Sequence, residues 1–496
     1  MARALRSVHH VAAVTLALLL AAAPAAGVRA QGDEGLSLHV ERIVTDPSEI
    51  LADAELRALA APYEGREVTL EELRELVNAI NAAYAAKGYL TARAFLPPQA
   101  VSGGVVRIQL VEGRVGELRV EGNAHTKSRY VLDRLTLVGG DLLDIEKLRR
   151  EIVAFNLAHD VQIRADLRPG EAFGTTDVLL VAVEPANVTT QIFADTGGTR
   201  ESGIPRLGLD WQNRSLAGFR DTLSVGVTLS EGARTGTLAY EFPVDTSGVR
   251  LRLGRTYSHT RIIEGAFAGL DMSTEQSGTS LRLARPLTRE LQRKATFTVE
   301  LQKATSTTAF SGVPLVTHDT TSVDAGLELD TRSEETAYSL CHSLRMAYVD
   351  SDTARSTVTS YRGSARIERP LPPDRRIVYR GRLFAAAGVD VPDSELFQLG
   401  GGESIRGYSS GAASGRYGFE VSAEVHWPAA RGGRLVFVDY GRAYAGNAAH
   451  TLASVGMGIE HYFSAGAVGR LIISFPLKEA ITAGDRLISA SLQVTF

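Results

Sequence analysis

The chain has 496 residues, room for roughly two to four domains, with 53 lysines and arginines against 57 acidic residues and a formal net charge of −4. That balance, with no block of like charge, argues against a nucleic-acid partner. Cys341 is the single cysteine, which leaves no internal disulfide and no cysteine metal cluster to stabilise an exported chain.

Arg3 and Arg6 form a basic start, Val11 to Ala23 is an almost unbroken apolar run, and Val28-Arg29-Ala30 is a small-x-small cleavage site. Residues 1–30 therefore read as a secretory signal peptide. The run is shorter than the roughly 20 residues of a spanning helix, and no later stretch reaches about 18 apolar residues. Any membrane residence must use strands.

One unit then occurs twice. Gly65 to Asn81 aligns with Gly140 to Asn156, matching Leu73 with Leu148, Arg74 with Arg149 and Asn81 with Asn156, at a spacing of 75 residues. In the first copy Thr69 and Glu72 make a capping box, Leu73, Leu76, Ile80 and Tyr84 share a helix face, and Gly88 is a C-cap. Strands are expected over Leu36–Val44, Leu90–Phe95 and Val105–Leu110, and again over Val115–Glu121, Val161–Leu167 and Val178–Val183. One apolar stripe per helix has one sheet to cover, which makes residues 36–114 and 115–185 two small α+β domains. An edge strand of such a sheet can accept an extended peptide by strand addition, or can be merely structural.

From residue 186 to Phe496 the pattern has period two. Tyr417, Phe419, Val421, Ala423, Val425 and Trp427 alternate with Gly418, Glu420, Ser422, Glu424 and His426. The apolar face points inward in a soluble sandwich and to lipid in a transmembrane barrel. Three features favour the barrel: runs of about 9–11 residues, room for about 16 antiparallel strands, and a last strand placing Leu492, Val494 and Phe496 on one face of an aromatic carboxy-terminus. The expected architecture is two α+β domains followed by a 16-stranded antiparallel transmembrane β-barrel.

Catalytic constellations are scarce: there is no His-Glu-x-x-His, no Gly-x-Ser-x-Gly elbow and no Walker loop. No metal site, cofactor or enzymatic activity is expected. The segment Gly388 to Arg416 is the longest stretch without alternation, and its glycines let the backbone fold back. Downstream, Val436, Val438 and Tyr440 fall on the lipid face, so Phe437, Asp439 and Gly441 face the lumen. Arg406 is the natural partner of Asp439 because its planar fork suits a carboxylate. A solvated pair at a loop tip is worth about 0–1 kcal/mol; in an inserted, partly dry loop, losing one partner costs roughly 3–5 kcal/mol.

Leu399-Gly-Gly-Gly-Glu-Ser-Ile405-Arg406-Gly407-Tyr408 followed by Phe437-x-Asp439-x-Gly441 resembles the paired motifs of the outer-membrane assembly and secretion barrels. With Leu96-Pro-Pro-Gln99 and Val111-Glu-Gly113 closing the first small domain, the chain is similar to two-partner secretion transporters that export haemolysins and filamentous adhesins. The resemblance implies two periplasmic polypeptide-transport-associated (POTRA) domains and a sixth extracellular loop inside the barrel. It also implies an Arg406–Asp439 pair and strand-addition binding of an unfolded secreted partner, without nucleotide hydrolysis. Outer-membrane lipid and the barrel-assembly machinery are the other implied partners, the latter through Leu492, Val494 and Phe496. An insertase of the barrel-assembly type is the alternative from the same superfamily. Two departures stand out. Only Gln31 to Gly35 separates the cleavage site from the first strand, which argues against a plug helix, and the barrel opens with Asp195-Thr-Gly-Gly198 where an Asp-Asn dipeptide is usual.

Overall fold

A computed structural model describes residues 37–290, 292–352, 354–464, 466–478 and 488–496, so the expected signal peptide and the span before the first strand lie outside the described residues. The chain forms two compact units, one of residues up to Ala83 with Arg93–Leu110, the other of Tyr84–Ala92 with Val111–Phe496.

The first unit runs β1 (Ser37–Val40), β2 (Arg42–Thr45), α1 (Asp53–Ala60), β3 (Arg66–Thr69), α2 (Leu70–Ala86), β4 (Arg93–Phe95) and β5 (Val105–Val111). β1 pairs with β3, while β5 lies between β2 and β4. The single strand expected over Leu36–Val44 is therefore two. The N–H groups of Glu41 and Arg42 both donate to the Gly104 carbonyl, at 2.8 and 3.3 Å, and turn the chain from one sheet to the next. The strand expected from Leu90 begins only at Arg93, because Ala92 N–H closes a turn on the Tyr89 carbonyl at 3.2 Å. α2 starts on the expected capping box: Thr69 N–H donates to Glu72 Oε2 at 2.7 Å and Glu72 N–H to Thr69 Oγ1 at 3.3 Å. Leu73, Leu76 and Ile80 are buried along one stripe.

The second unit opens with β6 (Arg114–Glu121), α3 (Ser128–Leu132), α4 (Ile145–Ala158), β7 (Gln162–Pro169) and β8 (Thr175–Val183). β8 is central, parallel to β6 and antiparallel to β7. Leu148 and Phe155 of α4 join Tyr130, Val161 and Leu180 in one core. The matched asparagines of the repeat do the same work in both copies. Asn156 accepts from Ile163 N–H at 2.7 Å and donates to its carbonyl at 2.9 Å, and Asn81 does so with Ala94 at 2.7 and 3.3 Å. Each clasps the end of a helix to the next strand.

The rest of this unit is a closed barrel. Its strands are β9 (Val188–Asp195), β10 (Arg206–Asn213), β11 (Thr222–Leu229), β12 (Ala233–Pro243), β13 (Arg250–Arg261), β14 (Met272–Arg289), β15 (Arg293–Phe310) and β16 (Val313–Arg332). They continue as β17 (Ala337–Ser351), β18 (Arg355–Leu371) and β19 (Arg375–Ala387). A hairpin of β20 (Phe397–Leu399) and β21 (Ala413–Gly415) intervenes before β22 (Tyr417–Ala429), β23 (Gly432–Ala445), β24 (Ala448–Ser464), β25 (Ala467–Pro476) and β26 (Ile488–Thr495). β26 pairs antiparallel with β9, and Phe496 and Thr190 exchange backbone hydrogen bonds at 2.8 and 3.1 Å, closing a ring of 16 strands.

Closure decides between sandwich and barrel: Tyr417 and Val421 are exposed, while Glu420 and Glu424, on the opposite face, are buried. Several strands exceed the expected 9–11 residues, β16 reaching 20. The outward faces explain the excess. Leu253, Leu281, Leu301, Val323 and Met346 form one row across five strands, and the next outward row is Arg255, Thr279, Lys303, Thr321 and Tyr348. The apolar band ends there, and the ladder continues as a polar fence. At the other end, the β10–β11 turn holds the second small domain. Ser215 Oγ donates to the His125 carbonyl at 2.9 Å, and the buried Arg220 forks onto Asp160.

Candidate functional site

Between β19 and β22 the chain leaves the wall and returns inside it. Ser404 to Tyr408 are buried, and Phe397, Leu399, Ile405 and Tyr408 form an apolar cluster with Ala443 and Leu452 of the wall. This loop has no periodicity because the barrel gives it no repeating environment; each side chain meets a different strand.

Arg406 is the centre. Its Nε donates to Asp439 Oδ2 at 2.8 Å and one terminal nitrogen to Asp439 Oδ1 at 2.7 Å, a two-pronged fork. The same nitrogen reaches Ser422 Oγ at 3.0 Å, the other lies 2.7 Å from Glu424, and the backbone N–H donates to Asp439 Oδ2 at 3.1 Å. Below the guanidinium lies the Phe437 ring, its centroid 3.5 Å from Cζ. Arg380, at 2.5 Å, and His426, at 2.8 Å, also hold Glu424. Asp439 has no exposed surface and Arg406 only 3 %, so each charge is dry and needs the other.

The neighbours of Arg406 fix its approach. Gly407 has φ +93°, and a Cβ there would come within 3.2 Å of Ser474 and Pro476. The Tyr408 hydroxyl lies 2.8 Å from the carbonyls of Ala453 and Lys478 and accepts from Lys478 N–H at 3.1 Å, which ties the loop to β24 and to the chain just past β25. Opposite Ile405, a Cβ on Gly441 would stand 2.9 Å from Leu399 Cδ2 and 3.1 Å from Ile405 Cδ1. Ile405, Arg406, Gly407, Tyr408, Phe437, Asp439 and Gly441 thus meet in one place. Leu492 and Phe496 stand apart from it, exposed on the outer face of the closing strand and its end; Val494 shares their face and is half-buried.

Two further anchors have weaker signals in the sequence. The Ser404 hydroxyl donates to Glu420, which Arg382 grips at 2.5 and 2.9 Å. Alternation puts Glu420 on the inner face but does not say what it meets. Glu395 is buried at the start of the loop, in a two-pronged contact with Arg345 at 3.1 and 3.2 Å, with Arg362 at 3.4 Å; Arg345 also binds Asp324 at 2.8 Å. No motif marks Glu395, because its partners lie 50 and 33 residues away on the wall.

The family described as haemolysin secretion/activation protein ShlB/FhaC/HecB matches residues 174–461, and a POTRA domain of ShlB type matches residues 38–113. A heme/hemopexin transporter protein HuxB of Haemophilus influenzae is 25 % identical over 255 residues, 51 % of this chain and 45 % of that protein. An outer membrane transporter CdiB of Dickeya dadantii is 24 % identical over 482 residues, 91 % of this chain and 83 % of that protein. The structure of CdiB from Escherichia coli superposes with a TM-score of 0.64 over 95 % of this chain and 93 % of the other, at 21 % identity, a likeness of fold.

Proposed function

The chain belongs to the haemolysin secretion/activation family, and on that premise we propose that it lies in the bacterial outer membrane and secretes a partner protein through its barrel without nucleotide hydrolysis. The observation that carries this reading is a closed barrel with a polar inner wall, one loop clamped inside it, and a small domain held at one mouth. In the second small domain β7 ends the sheet, and strand addition there would offer an unfolded partner a binding edge before it enters the lumen. The outward apolar rows fit lipid, and Leu492, Val494 and Phe496 are the residues we assign to recognition by the barrel-assembly machinery. Folding of the partner outside would bias its passage, so the chain acts as a translocator and needs no catalytic group.

Export fits better than the insertase role because the family match runs to secretion proteins over most of the barrel. Single-channel conductance of the full-length protein in planar bilayers, beside a version lacking residues 36–185, tests the reading. Large, frequently open channels from the full-length protein are expected. Silence from both proteins would mean that the loop carrying Arg406 seals the lumen and would move the assignment to the insertase.

A further inference from the structure

The inner loop covers only part of the wall. Its anchors reach Arg345 and Arg362 on β17 and β18, Glu420, Glu424 and Asp439 on β22 and β23, and the Ala453 carbonyl on β24. Under it, lumen-facing Asp439 and Ser454 have no exposed surface. Across the barrel the inner face differs in kind. Gly226, Thr237, Thr256 and Gly278 sit in register on β11 to β14, and Thr237 and Thr256 are exposed although they point inward.

The glycines of the two walls report the same asymmetry. A Cβ on Gly441 would run into Leu399 and Ile405 of the loop. On Gly254, two residues from Thr256, a Cβ would meet, among the described residues, only Ser280 Oγ of the adjoining strand, at 2.8 Å. Among the described residues the loop makes no approach to Gly254, and Thr237 and Thr256 are open to water.

We propose that the exported polypeptide travels along the β11–β14 wall while the loop stays clamped to β17–β24. The proposal rests on the export reading. The exposed Thr237 and Thr256 hydroxyls can exchange weak hydrogen bonds with any extended chain, and no long charged side chain in this row can grip one sequence above another. A row of this chemistry suits an unfolded polypeptide of any composition, with the charged Glu241, Arg252 and Arg282 set together at one end of the same wall, whereas the wall under the loop is engaged with the loop itself.

The test uses full-length protein carrying Cys341→Ser, with Thr256→Cys or, as a second exposed position, Thr237→Cys. Ser454→Cys serves as the covered position; it is nearly isosteric, and the Ser454 hydroxyl has no hydrogen-bond partner among the described residues. A bulky uncharged maleimide is applied in planar bilayers with a soluble, unfolded, cysteine-free polypeptide rich in glycine, serine and asparagine on the periplasmic side. Modification at Thr256→Cys or Thr237→Cys is expected to lower conductance by about twofold or more and abolish the polypeptide's current blocks. Ser454→Cys is expected to stay unlabelled and to leave both unchanged. Labelling of Ser454→Cys while polypeptide is present, or blocks that persist after Thr256→Cys is modified, overturns the placement. Conductance that falls at Thr256→Cys in a protein never blocked by polypeptide overturns the export reading instead.

Discussion

Arg406 illustrates how a buried charge becomes a structural commitment. Its guanidinium is shared among Asp439, Glu424 and Ser422, so truncation leaves two carboxylates with little water to solvate them. Arg406→Ala is expected to cost roughly 3–5 kcal/mol of loop anchoring and to abolish export while the barrel still shifts on heating in gels. Wild-type export by that variant would sink the functional role of the pair. Arg406→Lys keeps the charge but not the fork and is expected to behave like the alanine variant in the same assay. Gly441→Ala places a methyl 2.9 Å from Leu399, overpacking worth about 1–3 kcal/mol. Gly254→Ala, facing the open wall, is expected to shift the thermal midpoint less; equal shifts would mean that the loop does not press on Gly441. Strand alternation puts Asp439 on the face opposite Val436, Val438 and Tyr440, and closure of the barrel makes that face the lumen. Glu395 could not be found that way, because a loop residue's partners are chosen by the path of the loop.

The helices and their strands carry their own pH dependence. His159 follows α4, its Nδ1 3.0 Å from the Tyr130 hydroxyl, and burial, reinforced by the Arg134 and Arg289 cations, pushes it from 6.5 down to about 3. Between those values the folded domain binds fewer protons than the unfolded chain. The stability contributed by neutral His159 is therefore complete above about pH 6.5 and lost on acidification, by at most about 1.4 kcal/mol per pH unit. Amide exchange in α4, corrected for intrinsic rates, is expected to be faster at pH 5 than at pH 7 in the wild type. His159→Leu is expected to flatten that dependence, and an unchanged slope would assign the acid sensitivity elsewhere. Helix positions in both small domains were legible because capping and a single apolar stripe are local signals. The break at Glu41 was not, since it depends on the carbonyl of Gly104, distant in sequence.

In the barrel-bearing unit, Arg220 joins the second small domain to the barrel mouth. It is buried, with φ 56°, and its Nε donates to Asp160 at 3.1 Å. Arg220→Ala is expected to remove about 1.5–3 kcal/mol of this docking, seen as faster amide exchange over 214–221 with the barrel's own exchange unaltered. Exchange that rises equally across the barrel would show that Arg220 serves the wall and not the junction. The amino-acid order by itself determined which residues share a face, because alternation and helical spacing are properties of a single strand or helix. Tertiary structure alone decided which face is wet. A polar inner wall and a polar sandwich surface read identically until β26 meets β9 and closes the ring. The same closure gives the aperiodic loop an inside to enter, where Glu395, Ser404 and Arg406 find partners on strands far apart in the chain.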